Sequence, residues 1–232
     1  MVGAQMTMVL AMLDRDTEQR DDRAAAAAAA LGVDGVTAGV GTGPTGTVLA
    51  WGTGAVSAEL DHLQFTLGEG PGIDCAESGL PVLAPDLAAA RGRWPALVPA
   101  ATALGVRAAF AFPLRIGAMN VGTMLAHRAA HGPLAAGELA DARSLADVVT
   151  MVLIGRRSAQ ADHSGHRVPA GWAAPATYRA EVHQATGMIS VQLGITLADA
   201  LARLRAYAYT QDRLIADVAA DVVARKLLLD RW

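Results

Sequence analysis

The stretch from His183 to Tyr209, HQATGMISVQLGITLADALARLRAYAY, decides the fold of the C-terminal part of the chain. Its apolar residues recur at helical spacing on both sides of Gly194, which predicts two helices joined by a tight turn. Thr196 is expected to cap the second helix by accepting a hydrogen bond from the amide of Asp199. Gly187 interrupts the first helix, and we expect it to permit a close helix crossing that offsets a propensity cost of about 1 kcal/mol.

A third helix is predicted over Leu214–Leu228, where the same apolar spacing returns after a polar turn. The first helix is expected to begin at Tyr178, so residues 178–232 form one helical module. A unit of this size lies near the lower limit for a self-sufficient core, so its helices must approach closely or find a partner.

Residues 17–155 predict an α+β domain with a mostly antiparallel sheet. Helices are expected at its two ends, over 17–31 and 134–154, and their apolar stripes suggest a homodimer formed through them. The run Ala24–Ala30 in the first of these is interpreted as a close-packing surface. Strands are predicted at 35–40, 46–52, 63–67 and 81–85 and as a pair joined around Gly117, with short helices after the loop at 68–72 and within 93–105.

Several short motifs follow one another in this region: GEGP at 68–71, GLPV at 79–82, DL at 86–87, RWP at 93–95, GVR at 105–107, AFPLRIG at 111–117 and GPL at 132–134. In this order they resemble the GAF sensor domains of actinobacterial regulators over residues 17–155. The resemblance implies a small-molecule ligand between the sheet and its covering loops, although neither the ligand nor any cofactor is identified by the sequence.

The C-terminal module carries a second set of motifs: Ala185-x-Gly187-Met188, Leu193-Gly194, Ala200-Leu201, Leu204-Arg205 and Asp217-Val218-Ala219. These resemble the ANTAR domain, an RNA-binding module of transcription antiterminators that binds paired hairpins in leader RNA. Thr186 departs from the family, which commonly has a basic residue there. Arg205 is expected to point outward beside the apolar seam. The resemblance implies that RNA is bound by Gln184, Thr186, Gly187, Arg203, Arg205, Tyr207, Tyr209 and Arg213.

Composition limits the remaining function classes. Apolar residues make up 53% of the chain, and its net charge of −3 and pI near 6.0 exclude a global attraction to RNA or to an anionic membrane. RNA binding therefore requires a local patch. No stretch approaches the twenty or so apolar residues of a membrane span, and the single Cys75 fits a reducing cytoplasm. Cys75 is expected to be a buried, inert thiol and not a redox sensor.

Catalytic and metal sites are not predicted. No Ser/His/Asp, Cys/His or paired-carboxylate pattern is apparent, so the protein is not expected to be an enzyme. His163 and His166, with Asp162, lie in a segment of linker composition at 156–177, and no metal site is expected there. His127 is expected to be a surface or core histidine and not a haem ligand.

Two function hypotheses follow. The first is an antiterminator in which a ligand or the dimeric state of the GAF-like region controls RNA binding by the ANTAR-like module. The second is a signalling or dimerisation protein whose helical module no longer binds RNA, with a DNA-binding helical regulator as a further alternative.

Overall fold

The computed structural model describes residues 3–13, 20–41, 48–161, 173–211 and 213–229. The elements in chain order are α1 (Ala4–Leu13), α2 (Arg20–Ala30), β1 (Gly35–Val40), β2 (Val48–Gly52), α3 (Ala55–Leu67), α4 (Pro71–Ser78), β3 (Val82–Ala84), a 3₁₀ turn (Ala88–Ala90), α5 (Leu97–Ala103), β4 (Ala108–Ile116), β5 (Met119–Arg128), α6 (Ala136–Ala161), α7 (Ala173–Leu193), α8 (Leu197–Thr210) and α9 (Ile215–Val223).

The five strands in the described residues form one sheet in the order β2-β1-β5-β4-β3. Each neighbouring pair is antiparallel, as predicted. The hairpin between β4 and β5 turns at Gly117, whose φ of 58° lies in the left-handed region that glycine adopts without strain. The sheet with its flanking helices confirms the α+β fold class.

One face of the sheet is covered by α1, α2 and α6. Ala24, Ala27 and Ala28 of α2 are buried there, which confirms the close-packing interpretation of the alanine run. Leu145 and Val149 of α6 belong to the same core. The apolar stripes that suggested a dimer therefore pack against the chain's own sheet, where their residues are buried.

The opposite face is covered by α3, α4 and α5, which are tied together through the GEGPG loop. The side chain of Glu69 accepts hydrogen bonds from the amides of Ala96 and Leu97, both at 2.7 Å, at the start of α5. The Oε1 atom of Gln64 accepts the amide of Gly72 at 2.7 Å in the first turn of α4. Both interactions satisfy amides that have no partner within their own helices.

The prediction of a strand at 63–67 is wrong, because these residues form the end of α3. The five-residue run alternates apolar and polar side chains, which is typical of a strand when it is viewed alone. Together with the preceding residues, however, the buried positions Ser57, Leu60 and Gln64 follow helical spacing. Gly68, with φ of 71°, ends the helix.

In the C-terminal module, α7, α8 and α9 bury the predicted apolar faces against one another, except that Leu197 is exposed. Thr196 Oγ1 accepts the amide of Asp199 at 3.1 Å, which confirms the predicted cap. Both α6 and α7 extend into the predicted linker, to Ala161 and from Ala173. Asp162, His163 and His166 lie outside the described residues.

The third helix is shorter than predicted and ends at Val223. The amide of Lys226 bonds to the carbonyl of Asp221 and that of Arg225 to Val222, the pattern of a Schellman motif. Arg225 occupies the left-handed position of this motif with φ of 57°, the one positive φ of a non-glycine residue in the described chain. Glycine is usual there, so the arginine is strained.

None of the described helices is by itself both long and apolar enough to cross a membrane, although α7 and α8, which meet at 109°, satisfy the length and composition criteria together.

Candidate nucleic-acid interface

Several of the predicted RNA-binding residues on α7 and α8 lie where solvent reaches them. Tyr209 is 81% exposed on α8, and Gln184 is exposed on α7. Arg203 and Tyr207, one turn apart on α8, are half-buried. Their spacing puts these two side chains on one side of the helix, where a cation and an aromatic ring lie close together.

Arg213 is exposed and pairs with a carboxylate of its own module. Its Nη2 atom lies 2.6 Å from Oδ2 of Asp221, and this hydrogen bond raises the pKa of the guanidinium above its ordinary value. The aspartate therefore competes with any phosphate for Arg213. Because exposed ion pairs contribute little to stability, exchange of Asp221 for a phosphate is a small change for the protein.

Thr186 is fully buried, and its hydroxyl donates to the carbonyl of Val182 at 2.7 Å. The side chain of Thr186 is therefore closed to solvent in the described conformation, and RNA contact at this position stays a prediction. The loss of a basic residue is compatible with the site, since a hydroxyl satisfied within its own helix can be buried and an unpaired charge cannot.

The expectation that Gly187 permits a close helix crossing is wrong. A Cβ atom built on this residue meets no atom of the described chain within 4 Å, apart from its own helix backbone and sequence neighbours. No helix in the described chain crosses at the space that the missing side chain leaves, so closer packing there does not offset the propensity cost of about 1 kcal/mol relative to alanine.

Arg205 does not point outward as predicted. Its Nη2 atom donates a hydrogen bond of 2.5 Å to the carbonyl of Phe65, and its guanidinium lies 5.6 Å from the centre of the Phe65 ring. Phe65 stands in the last turn of α3, where carbonyls have no partner within the helix and the helix dipole is negative. The guanidinium thus supplies a cap to a helix of the sheet domain.

Other contacts extend this junction. The ring of His183 on α7 meets Phe65 edge to face, with ring centres 5.9 Å apart. Phe65 is 2% exposed and belongs to the core of the helical module. A Cβ on Gly68 would lie 2.6 Å from Nη1 of Arg205, so glycine at this position also leaves room for the guanidinium. We call Phe65, Gly68, His183 and Arg205 the interdomain junction.

Sequence reasoning missed the interdomain junction for two reasons. The prediction of a strand at 63–67 placed no helix end near Phe65. In addition, Arg205 and Phe65 are 140 residues apart, and no local pattern links them. The available signal was the helical spacing upstream of residue 63, followed by a glycine stop.

The interior between the sheet and α4 holds Cys75, which is fully buried. Burial raises the pKa of its thiol to about 12, against a smaller lowering by the hydroxyl of Thr123. The sulfur is therefore a neutral thiol at physiological pH, which supports the inert reading over a redox sensor.

A buried polar chain links α3 to the sheet. Ser57 Oγ lies 2.8 Å from Nε2 of His127 and 2.9 Å from Oγ1 of Thr53, which accepts the amide of Val36. Burial lowers the pKa of His127, against an opposing effect of Asp34. Nδ1 of His127 has no hydrogen-bond partner in the described residues, so no carboxylate there orients the ring as a serine-histidine nucleophile requires. We interpret the chain as a structural tie between β5 and α3.

The described part of the chain contains no group of three or more His, Cys, Asp or Glu side chains placed to hold a metal ion.

Comparison with known families identifies the helical module. Residues 175–223 match the ANTAR domain. The match covers α7 from its third residue through the end of α9, so Gln184, Asp221 and the residues between them lie within the matched region. No curated protein matches the chain significantly.

Solved structures with the same fold include GAF domains. That of an Acinetobacter phosphoenolpyruvate-protein phosphotransferase aligns with a TM-score of 0.52 and 10% identity, covering 66% of this chain and 93% of the other. That of the Coxiella burnetii phosphotransferase has a TM-score of 0.50 and 17% identity, with 68% and 97% covered. The free methionine-R-sulfoxide reductase of Neisseria meningitidis gives 0.50 and 15%, with 66% and 89% covered. At these identities the likeness shows the fold alone: the sheet and its helices have the fold of GAF domains.

Proposed function

We propose that the protein is a non-enzymatic, cytoplasmic regulator of transcription antitermination, of the type found in actinobacteria, whose GAF domain senses a signal and whose ANTAR domain binds hairpins in leader RNA. The ANTAR match and the GAF fold support this pairing of functions. We assign RNA contact to Gln184, Gly187, Arg203, Tyr207, Tyr209 and Arg213, and to Arg205 once it is released. Arginines can bind the phosphates of the RNA, and flat side chains such as tyrosine can stack on its unpaired bases.

The observation that carries the regulatory part is the bond from Arg205 to the carbonyl of Phe65. A guanidinium that donates to the end of α3 has fewer N–H groups left for a phosphate or a base. The described conformation is therefore a state with low affinity for RNA. A ligand that moves the end of α3 releases Arg205 and raises this affinity. A ligand shifts the equilibrium between the capped and the released states of Arg205 only if it binds one of them more tightly than the other.

The alternative of a module without RNA function has its own support. Thr186 is buried, Arg205 is engaged with Phe65 and Arg213 is paired with Asp221, so few cations are unengaged in this conformation. Recovery of cellular RNA on the purified protein, followed by sequencing, separates the two hypotheses. Enrichment of tandem short hairpins from leader regions supports antitermination. Recovery of no RNA above a tag-only control would sink it.

We further propose a homodimer that forms through the outward sides of α1 and α6. Met8 and Met12 of α1 and Met151 of α6 are exposed there at 43–69%. Met151→Glu should convert a dimer to a monomer by burying a charge at the contact. Light scattering at micromolar protein measures the mass, and a wild-type monomer would rule the dimer out.

A further inference from the structure

Gly187 lies on the side of α7 that faces away from the core of the ANTAR domain. The buried residues Val182, Ala185 and Ile189 mark the inner side, whereas Val191, one turn after Gly187, is 85% exposed. Glycine in a helix interior destabilises the helix relative to alanine. Since nothing in the described chain occupies the space beside it, the benefit of this glycine is expected to come from something other than the described residues.

A groove of about 690 Å³ opens beside Gly187, between α7 and the segment that follows α9. This volume is within the range of roughly 300–1,000 Å³ found for small-molecule sites. We call it the Gly187 groove. Its lining consists of Gln184, Gly187, Met188, Val191, Gln192, Arg225 and Leu228.

The lining of the Gly187 groove combines apolar side chains with one cation. Met188, Val191 and Leu228 make an apolar surface on which a flat ring can lie, and Val191 and Leu228 are 85% and 65% exposed. Among the described residues that line the groove, Arg225 is the charged one and none is a carboxylate. The groove therefore combines an apolar floor with positive charge at its edge, which matches a ligand that is aromatic and anionic.

Arg225 reaches the groove because of its strained backbone. The left-handed φ of 57° reverses the chain after α9 and directs it back along α7. Gln192 holds this return segment by donating from Nε2 to the carbonyl of Leu229 at 3.1 Å. Strain of this kind persists where surrounding structure fixes it, and it is common at binding sites.

We propose that the Gly187 groove binds an unpaired base of the RNA, with the base on the apolar floor, the sugar-phosphate backbone against Gly187 and a phosphate on Arg225. This inference rests on the proposed RNA-binding function and adds a base subsite to it. RNA is favoured over a protein segment because the lining pairs an apolar surface with a cation. The absence of a Cβ at position 187 admits close approach of a backbone.

The experiment uses the full chain and two labelled RNA probes: a tandem pair of short hairpins with unpaired loops, and the same strand annealed to its complement. Binding to the first needs both bases and phosphates, whereas binding to the second reports phosphates alone. The two groove variants are Gly187→Ala and Arg225→Gly, because both changes favour the local backbone and should leave the thermal midpoint unchanged or higher.

Gly187→Ala is expected to weaken binding of the hairpin probe about tenfold and to leave binding of the duplex unchanged. Arg225→Gly should weaken both and reduce the salt slope by about one counterion. Gly137→Ala in α6 is the matched control for the first variant, since a Cβ there is also unopposed. Lys226→Ala is the control for the second, since it removes an exposed charge next to the groove.

The outcomes separate the two proposals. Hairpin affinity equal to that of the wild type in both folded groove variants overturns the base subsite and leaves the antiterminator function standing. A wild-type chain that binds neither probe overturns both. Unchanged RNA binding with an altered mass in light scattering would make the groove an interface between copies and not a base subsite.

Discussion

The guanidinium of Arg205, on the second helix of the ANTAR domain, caps the C-terminal end of α3 in the GAF domain through the carbonyl of Phe65. The ring of Phe65 lies below the same guanidinium at 5.6 Å and is buried in the ANTAR core. Arg205 thus supplies a helix cap to the sheet domain, and Phe65 supplies a core side chain to the helical module. Any movement of α3 therefore changes the environment of a cation that we propose as an RNA contact.

Phe65→Leu should raise RNA affinity several-fold. Leucine keeps most of the buried volume, at a cost of less than about 1.5 kcal/mol, but it removes the aromatic surface that holds Arg205 and His183. The free ANTAR domain then forms a larger fraction of the population. Filter binding with a tandem-hairpin RNA measures the change, and an affinity equal to that of the wild type would contradict a role of the interdomain junction in limiting RNA binding.

Arg205→Ala, tested in the Phe65→Leu background, isolates the RNA contact of this arginine. With the junction already weakened, loss of the guanidinium should reduce hairpin affinity by about 1–3 kcal/mol if it reaches a base, and by less if it reaches a phosphate. An affinity that rises further would show that Arg205 only holds the domains together. Circular dichroism of the double variant checks that it remains folded.

Arg225→Gly should stabilise the protein by about 0.5–1 kcal/mol, because glycine adopts the left-handed φ of 57° without steric cost. Urea unfolding measures the difference. Arg225→Ala serves as the control, since alanine removes the same charge and keeps the backbone strain. Equal stability of the glycine and alanine variants would mean that φ at this position is not strained in solution.

Acidification should destabilise the GAF domain through His127. Burial lowers the pKa of this histidine below its ordinary 6.5, so the unfolded chain takes up the proton first as the pH falls. The free energy of unfolding is therefore retained above pH 6.5 and decreases below it. The thermal midpoint, followed from about pH 7.5 to 5.5, should fall more in the wild type than in His127→Gln, which does not titrate. Parallel curves would refute the assignment.

Glu69→Ala should destabilise the protein by about 1–2 kcal/mol, because it leaves the amides of Ala96 and Leu97 without their acceptor. Glu69→Gln keeps an amide oxygen in place and should cost less. Denaturant unfolding of the three chains provides the comparison. If the alanine variant is as stable as the glutamine variant, water replaces the carboxylate at the start of α5.

Local patterns were sufficient for most elements of both domains. Turn glycines such as Gly117 and Gly194, and the cap at Thr196, act within a few residues, so their effects can be read from neighbouring positions. The helix of residues 63–67 could not be assigned from its own five letters, because alternation and helical spacing coincide in so short a run.

By itself the sequence determined which faces of α7, α8 and α9 are apolar, and hence that they form a module. Only the tertiary structure decided what their remaining sides do. It turned Arg205 toward Phe65, buried Thr186 and left Gly187 open, since each outcome depends on segments far away in the chain. Helical periodicity gives the direction of a side chain relative to its own helix, whereas the atoms it meets are set by the packing of the whole molecule.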